Sequence, residues 1–286
     1  MLLFNPSAGK GKGLRKIEVV RESLQALGAE VEFLAPDSRA AFAAAAAKAS
    51  ATGYDRLIVA GGDGSLHVVL NAIDLGTTVL AIIPMGSGDD FAQALNIPTN
   101  AGEACRVALR GTVRSVDVAT ANGRRFLGVA GVGFDSLVAS YANRVQKLTG
   151  SILYLYSIFR VLPRFQPIPI TITSSSGRRE EEVMFAVVGN SPRYGGGIRI
   201  APTAQPDDGI LDLFVIGKST KWDLLKTLPS AYSGKHVTSP FVSTERGASF
   251  TFDSPQPLEV YADGELVAQT PVTIALSHEK LRIAVP

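Results

Sequence analysis

The sequence predicts two domains of different class: an α/β domain on a parallel sheet, then a β-rich, mostly antiparallel domain. Two observations carry this. Up to residue 111, short apolar runs alternate with stretches of helical periodicity, the signature of strand–helix–strand crossovers. Beyond residue 113, strands and turn signals dominate, interrupted only by a helical or amphipathic stretch at 134–162 and a helix at 221–232. A chain of 286 residues with 46% hydrophobic and 19% charged residues suits one or two domains with a real core.

The elements follow in order. Residues 1–4 read as a strand closed by the turn-rich Asn5-Pro6-Ser7-Ala8-Gly9. Leu14, Ile17, Leu24 and Leu27 recur at helical spacing up to a stop at Gly28. Residues 30–34 form the next strand, and the alanine-rich 40–51 is a strong helix former closed near Gly53. The runs 57–60 and 79–83 are continuously apolar, as strands buried on both faces should be. Helices are expected at 65–75, at 89–95 before Pro98, and at 102–109 before Gly111. In the second part, strands 113–121 and 125–132 flank Asn122-Gly123, the commonest short hairpin signal. Further strands are expected at 168–173, 182–189, 210–216, 250–252, 258–261, 272–276 and 280–285.

Composition narrows the function. A net charge of +2, from 28 Lys+Arg against 26 Asp+Glu, leaves no footprint for nucleic acid. One cysteine, Cys105, excludes an internal disulfide, and with only three histidines a Cys/His zinc site is not expected. No apolar run approaches the ~20 residues of a membrane span, and the first residues lack the pattern of a secretory signal. The expectation is a cytoplasmic protein.

Three glycine-rich loops carry the chemistry. Gly61-Gly62-Asp63-Gly64-Ser65 lies between a buried strand and a helix, where glycines admit close backbone approach and a helix start favours phosphate. Asp63 would meet a phosphate through a metal or bind a hydroxyl, since like charges repel. The plainer reading is a tight strand-to-helix turn with Asp63 as cap. Pro84-Met85-Gly86-Ser87-Gly88-Asp89-Asp90-Phe91 repeats the arrangement, and Asn5 with Gly9-Lys10-Gly11-Lys12-Gly13 follows the first strand. Loops at the carboxyl ends of neighbouring parallel strands form the usual binding crevice of an open α/β sheet. Neither a Walker A motif nor a Gly-x-Gly-x-x-Gly fingerprint is present.

These loops resemble a known family, the diacylglycerol kinase catalytic-domain lipid kinases, which include sphingosine and ceramide kinases. The resemblance runs through Asn5-Pro6, 61–65, 86–92, Asn190 with Gly195-Gly196-Gly197, Pro202 with Ala204, Asp207-Asp208-Gly209 with Asp212, and Asp263-Gly264-Glu265. It implies a Rossmann-like nucleotide-binding domain over 1–117, a β-sandwich-like lipid-substrate domain over 118–276, a last strand at 277–286 returning to the first, and an active site in the interdomain cleft. It also implies ATP, Mg²⁺ and phosphorylation of a lipid hydroxyl, with diacylglycerol to phosphatidic acid as the leading reaction. Asn5, Gly61, Gly62, Asp63, Gly64, Ser65, Leu66, His67, Gly86 and Ser87 fall at nucleotide-binding positions. Asp63, Asp90 and Asp117 match an acidic cluster for catalytic magnesium, Asp63 and Asp90 being also catalytic. Glu265 matches the proton acceptor. Asp208 matches the ligand of a structural magnesium, with backbone carbonyls of Gln205 and Ile210. A sphingoid base or similar lipid alcohol is the rival substrate, and a degenerate nucleotide- or lipid-binding regulatory relative the rival without catalysis. A homodimer is left open, as is a peripheral station at the inner membrane surface.

Read from residue chemistry alone, Glu265 could be a surface carboxylate in a hairpin, Asp208 a turn residue and Asp117 an exposed strand carboxylate. The sequence also departs from the family pattern. Ser65 and Ser87 stand for threonine, Asp89 for asparagine, and a threonine is missing around Leu34-Ala35-Pro36. Between residues 141 and 170, Arg144, Lys147, Arg160 and Arg164 are interleaved with Leu148, Ile152, Leu153, Tyr154, Leu155, Tyr156, Ile158 and Phe159. The plainer reading is a core helix pair with solvated basic ends, and the alternative an amphipathic surface meeting anionic lipid.

Overall fold

A computed structural model describes residues 1–11, 13–145 and 148–286. Lys12 of the 9–13 loop and Lys147 of the basic stretch lie outside the described residues. The chain divides into two compact units, Met1–Asp117 with His278–Pro286, and Val118–Ser277.

The first unit bears out the parallel α/β expectation. Its six-stranded sheet runs Phe33–Leu34, Leu2–Phe4, Leu57–Gly61, Val79–Pro84, Leu281–Val285, Thr112–Val116. The first five are parallel and the last is antiparallel. The two central strands are wholly buried, so every side chain on them is apolar. Helices Gly13–Ala26 and Ala101–Arg110 contribute Ile17, Val20, Leu24, Ala104 and Ala108 to a core with Leu2, Phe4, Ile58 and Ile83. Helix Arg39–Thr52 is capped by Ser38, whose hydroxyl accepts from the Ala41 N–H, and ends on Gly53 at φ 78.

Two elements here are shorter than expected. The strand at 30–34 keeps only Phe33 and Leu34, the two residues that pair with Leu2 and Leu3. The helix expected at 65–75 spans Asp63–Leu70 instead. Beyond it, backbone bonds continue to Ile73, the Asn71 side chain also donates to the His67 carbonyl, and the Asp74 carboxylate takes the Gly76 N–H in a turn.

The second unit is an eleven-stranded antiparallel sheet. Its path is Glu265–Gln269, Glu259–Ala262, Val129–Gly133, Gly177–Gly189, Ile168–Ser174, Ser249–Asp253, Val272–Leu276, Ala119–Ala121, Arg124–Phe126, with Leu211–Gly217 off this path against Gly177–Gly189 and Val242–Gly247 against Leu211–Gly217. The register of that long strand shifts between Val183 and Phe185, and the strand changes partners there. One core gathers Phe126, Ile172, Val188, Leu213, Phe250, Phe252 and Ile274. A second lies beneath helices Phe134–Arg144, Gly150–Val161 and Lys221–Ser233, with Phe134, Tyr154, Ile158, Phe185 and Phe214.

Several boundaries change. The strand expected at 113–121 is two strands, Thr112–Val116 in one sheet and Ala119–Ala121 in the other. That expected at 125–132 breaks at Leu127 and Gly128, whose N–H groups leave the ladder for the Asp263 carboxylate. The Asn122-Gly123 hairpin forms, with φ 47 and 86, the positive pair that a type I′ turn demands.

Candidate active site

The first glycine loop is built by contacts between neighbouring strand ends. The Asn5 amide donates to the Ser65 hydroxyl at 2.8 Å, joining the end of the first strand to helix Asp63–Leu70. The Asn5 N–H reaches the Ala60 carbonyl and the Met85 N–H the Gly61 carbonyl, both at 3.0 Å. A Cβ added to Gly62 would sit 2.9 Å from the Gly86 Cα, and one on Gly86 would sit 2.5 Å from an Asp89 carboxylate oxygen. These glycines therefore let two loops touch backbone to backbone, beyond any room they leave for a ligand.

The predicted nucleotide positions divide. Gly64 and Ser87 are exposed. Leu66 and His67 are buried, and the Leu66 N–H donates to the Gly62 carbonyl.

Carboxylates cluster beside the loop contact. Asp63 accepts from the N–H groups of Asp90 at 3.2 Å and Phe91 at 3.3 Å, which brings Asp63 and Asp90 together. Burial raises the Asp63 pKa, against the pull of those backbone donors. Asp89 is buried and left-handed at φ 52, a conformation Asp and Asn tolerate better than most residues, and its carboxylate takes the Gly86 N–H at 2.9 Å. Burial first and the Asp63 charge second push its pKa up to about 7.

Asp117 behaves differently. It is buried, but its carboxylate pairs with the Lys280 ammonium at 2.8 Å. Among the described residues, no set of three or more His, Cys, Asp or Glu is gathered to hold a metal. The three-carboxylate cluster is thus not assembled as expected, because a lysine distant in sequence already answers Asp117. One magnesium still suits Asp63 and Asp90, since this hard ion takes one or two carboxylates and completes its shell with water and phosphate oxygens.

Asp89 yields a measurable consequence. With its folded pKa near 7 and an unfolded value near 3.8, the folded protein holds a proton that the unfolded chain releases between those pH values. The resulting stability is present in acid and is lost as pH rises toward 7, on the order of a few kcal/mol. Asp89→Asn should flatten this slope, since its amide oxygen can still accept from Gly86. Urea unfolding across that range, without nucleotide or metal, checks it; parallel curves for both proteins would refute it.

In the second unit, Asp263 and Gly264 form the turn of a hairpin, with φ 51 and 81, and Glu265 opens its outgoing strand. The Asp263 carboxylate accepts from the N–H groups of Leu127 at 2.9 Å, Gly128 at 2.9 Å and Val129 at 3.2 Å. The Asn143 amide donates to the Gly264 carbonyl at 2.8 Å, so the turn that carries Glu265 is held from two sides. No sequence signal marks Asp263 for this task beyond its place in the hairpin.

The expected structural magnesium does not fit. The Asp208 carboxylate takes the Ile210 N–H and pairs with Arg246, which also lies 3.5 Å from Asp212. Asp212 is buried and accepts from the Thr203 hydroxyl at 2.6 Å. The Arg246 guanidinium already supplies, at these carboxylates, the positive charge assigned to the metal.

Sequence reasoning missed a cavity in this unit, lined mainly by Val138, Ile158, Phe185, Ile198, Leu225 and Phe241. Its one carboxylate, Asp135, is buried and accepts from the hydroxyls of Tyr154 and Tyr194, each at 2.5 Å. Burial raises its pKa, partly offset by the two tyrosines. Only the spatial meeting of three residues distant in sequence reveals this site.

Residues 1–121 match the family model of the diacylglycerol kinase catalytic domain, and residues 128–285 the YegS C-terminal NAD kinase beta sandwich-like domain. A diacylglycerol kinase of Mycobacterium tuberculosis (strain CDC 1551 / Oshkosh) is 33% identical, covering 99% of this chain and 94% of its own. A diacylglycerol kinase of Staphylococcus saprophyticus is 27% identical over 100% of this chain and 94% of its own. A crystal structure from Bacillus anthracis str. Sterne, 27% identical, superposes with a TM-score of 0.83 over 100% of this chain and 96% of that one. With a full-length relative at this identity and both of its parts matched by these models, the chain belongs to the diacylglycerol kinase catalytic-domain family.

Proposed function

We propose that the protein transfers the γ-phosphate of ATP to the hydroxyl of diacylglycerol, giving phosphatidic acid. The observation that carries this reading is the backbone contact of Gly62 with Gly86 beside Asp63, Asp89 and Asp90. Phosphoryl transfer needs positioned phosphates and neutralised charge more than covalent help from the protein. Gly64 and Ser87 offer backbone and hydroxyl to the phosphates, while Asn5 and Ser65 hold the loop. Magnesium, held by Asp63 and Asp90, would supply charge neutralisation at the phosphate oxygens. Glu265 accepts the proton of the lipid hydroxyl as the new bond to phosphorus forms and the bond from that phosphorus to the bridging oxygen breaks, releasing ADP. The apolar cavity of the second unit takes an acyl chain, its Asp135–tyrosine cluster being the polar end.

The test is radiolabelled ATP with diacylglycerol, a sphingoid base and other lipid alcohols in mixed micelles containing magnesium. Label in phosphatidic acid is the expected result. Label in the sphingoid base alone would move the substrate class. Nucleotide binding without transfer to any lipid would leave a regulatory relative.

A further inference from the structure

Helix Gly150–Val161 carries apolar residues on two faces and buries only one. Tyr154, Ser157 and Ile158 point inward, toward Phe134 and Phe185. Ile152, Leu155, Tyr156 and Phe159, spaced as i, i+3, i+4 and i+7, form a stripe on the outside, where Ile152 is 69% and Phe159 52% exposed. Leu137 of the preceding helix is exposed as well. A helix covering a soluble core normally turns charge outward, and a contiguous apolar face marks an interaction site. The core-pair reading thus holds for the inner face of this second helix, and its outer face departs from it in being apolar.

The stripe is held in place. The Tyr141 and Tyr156 rings lie 6.1 Å apart, and the Arg160 Nε donates to the Tyr141 hydroxyl at 3.2 Å, tying the two helices together. A groove beside them is lined by Arg144, Arg160 and Arg164 with Tyr141 and Phe165. Among the described residues, none of these three arginines pairs with a carboxylate. The only acid in residues 134–167 is Asp135, buried beneath its two tyrosines. The Lys221 ammonium donates to the Pro163 carbonyl at 2.6 Å, and its neighbour Trp222, the one tryptophan of the chain, is 71% exposed.

We propose that this face docks the protein on an anionic lipid bilayer. Ile152, Leu155, Tyr156 and Phe159 enter the boundary of the acyl layer, and Arg144, Arg160 and Arg164 receive headgroup phosphates. Charge decides the occupant. A second copy seated on the same face across a two-fold axis would oppose arginine to arginine, whereas a sheet of lipid phosphates complements all three. Trp222 suits the headgroup level, where amphipathic rings concentrate. The proposal rests on the lipid-kinase reading for its reason to visit a bilayer, and on the exposed stripe and three arginines that meet no carboxylate among the described residues for its place.

The test is co-sedimentation with phosphatidylcholine vesicles, with and without phosphatidylglycerol, in the absence of ATP. The wild type should bind the anionic vesicles and release with salt. Ile152→Gln with Phe159→Gln should weaken partitioning about tenfold or more. Arg160→Glu with Arg164→Glu should remove the preference for phosphatidylglycerol. Thermal melts establish that each variant is folded. Trp222 emission should shift to the blue and be quenched by brominated acyl chains. Equal sedimentation of the wild type and both variants would overturn the proposal. So would a stripe variant that changes the oligomeric state by sedimentation velocity but not vesicle binding, which would assign the face to a second copy. Vesicle binding by a protein that phosphorylates no lipid would keep the docking face and remove the kinase reading. Turnover of a short-chain diacylglycerol without vesicle binding would do the reverse.

Discussion

Glu265→Gln is expected to lower kcat roughly 100-fold or more, the usual reach of a general base, while nucleotide binding persists. The substitution keeps the length and polarity of a half-buried side chain that opens a hairpin strand, so the fold should be undisturbed. Steady-state kinetics with diacylglycerol, beside calorimetry with a nucleotide, separate chemistry from binding. Unchanged turnover would return Glu265 to the role of a hairpin carboxylate.

Asp263→Ala is expected to cost stability and turnover together. Three N–H groups on the buried residues Leu127, Gly128 and Val129 lose a charged acceptor, and the left-handed turn loses a residue suited to it. Leaving buried donors unsatisfied costs about 1–3 kcal/mol each and does not add fully, so a loss of about 3 kcal/mol is expected. Because Asp263 holds the turn that carries Glu265, kcat is expected to fall with it while the KM for ATP holds. Asp263→Asn, which retains an acceptor oxygen and tolerates positive φ, should recover most of both. Urea midpoints and kinetics on the same preparations check this. A fall in stability with normal kcat would make the clamp purely structural.

The parallel sheet was legible because Leu57–Gly61 and Val79–Pro84 are buried on both faces and so read as unbroken apolar runs. Gly177–Gly189 was only half legible. Its first residues are charged, since Arg178 and Arg179 pair with Glu180 and Glu181 along the strand, and only its wholly buried half, from Val183 on, reads as apolar. Val242–Gly247, with Thr244, Glu245 and Arg246, is too polar to stand out although it completes a ladder beside Leu211–Gly217. From sequence, the apolar outer face of Gly150–Val161 is one of two readings for another reason. Periodicity reports a helix, but with apolar residues on both sides it cannot say which side meets water.

At the site, the glycine loops were visible because strand, glycine and helix follow one another in the chain. Lys280 against Asp117, Arg246 against Asp208, and Asp263 against Leu127 were not, because each pairs residues distant in sequence. Charge partners brought together by the sheet decide whether a carboxylate is available to a metal, and local sequence does not carry that information.

Leu281–Val285 lies between Val79–Pro84 and Thr112–Val116 in the first sheet. During synthesis, the ribosome must therefore make the whole second unit before the first can close. Until then, the backbone groups of two strands wait without their middle partner. Such distant pairing is slow to form, because the intervening chain must first be brought round. The nascent chain would present open strand edges for that interval, a state vulnerable to aggregation and suited to chaperone capture.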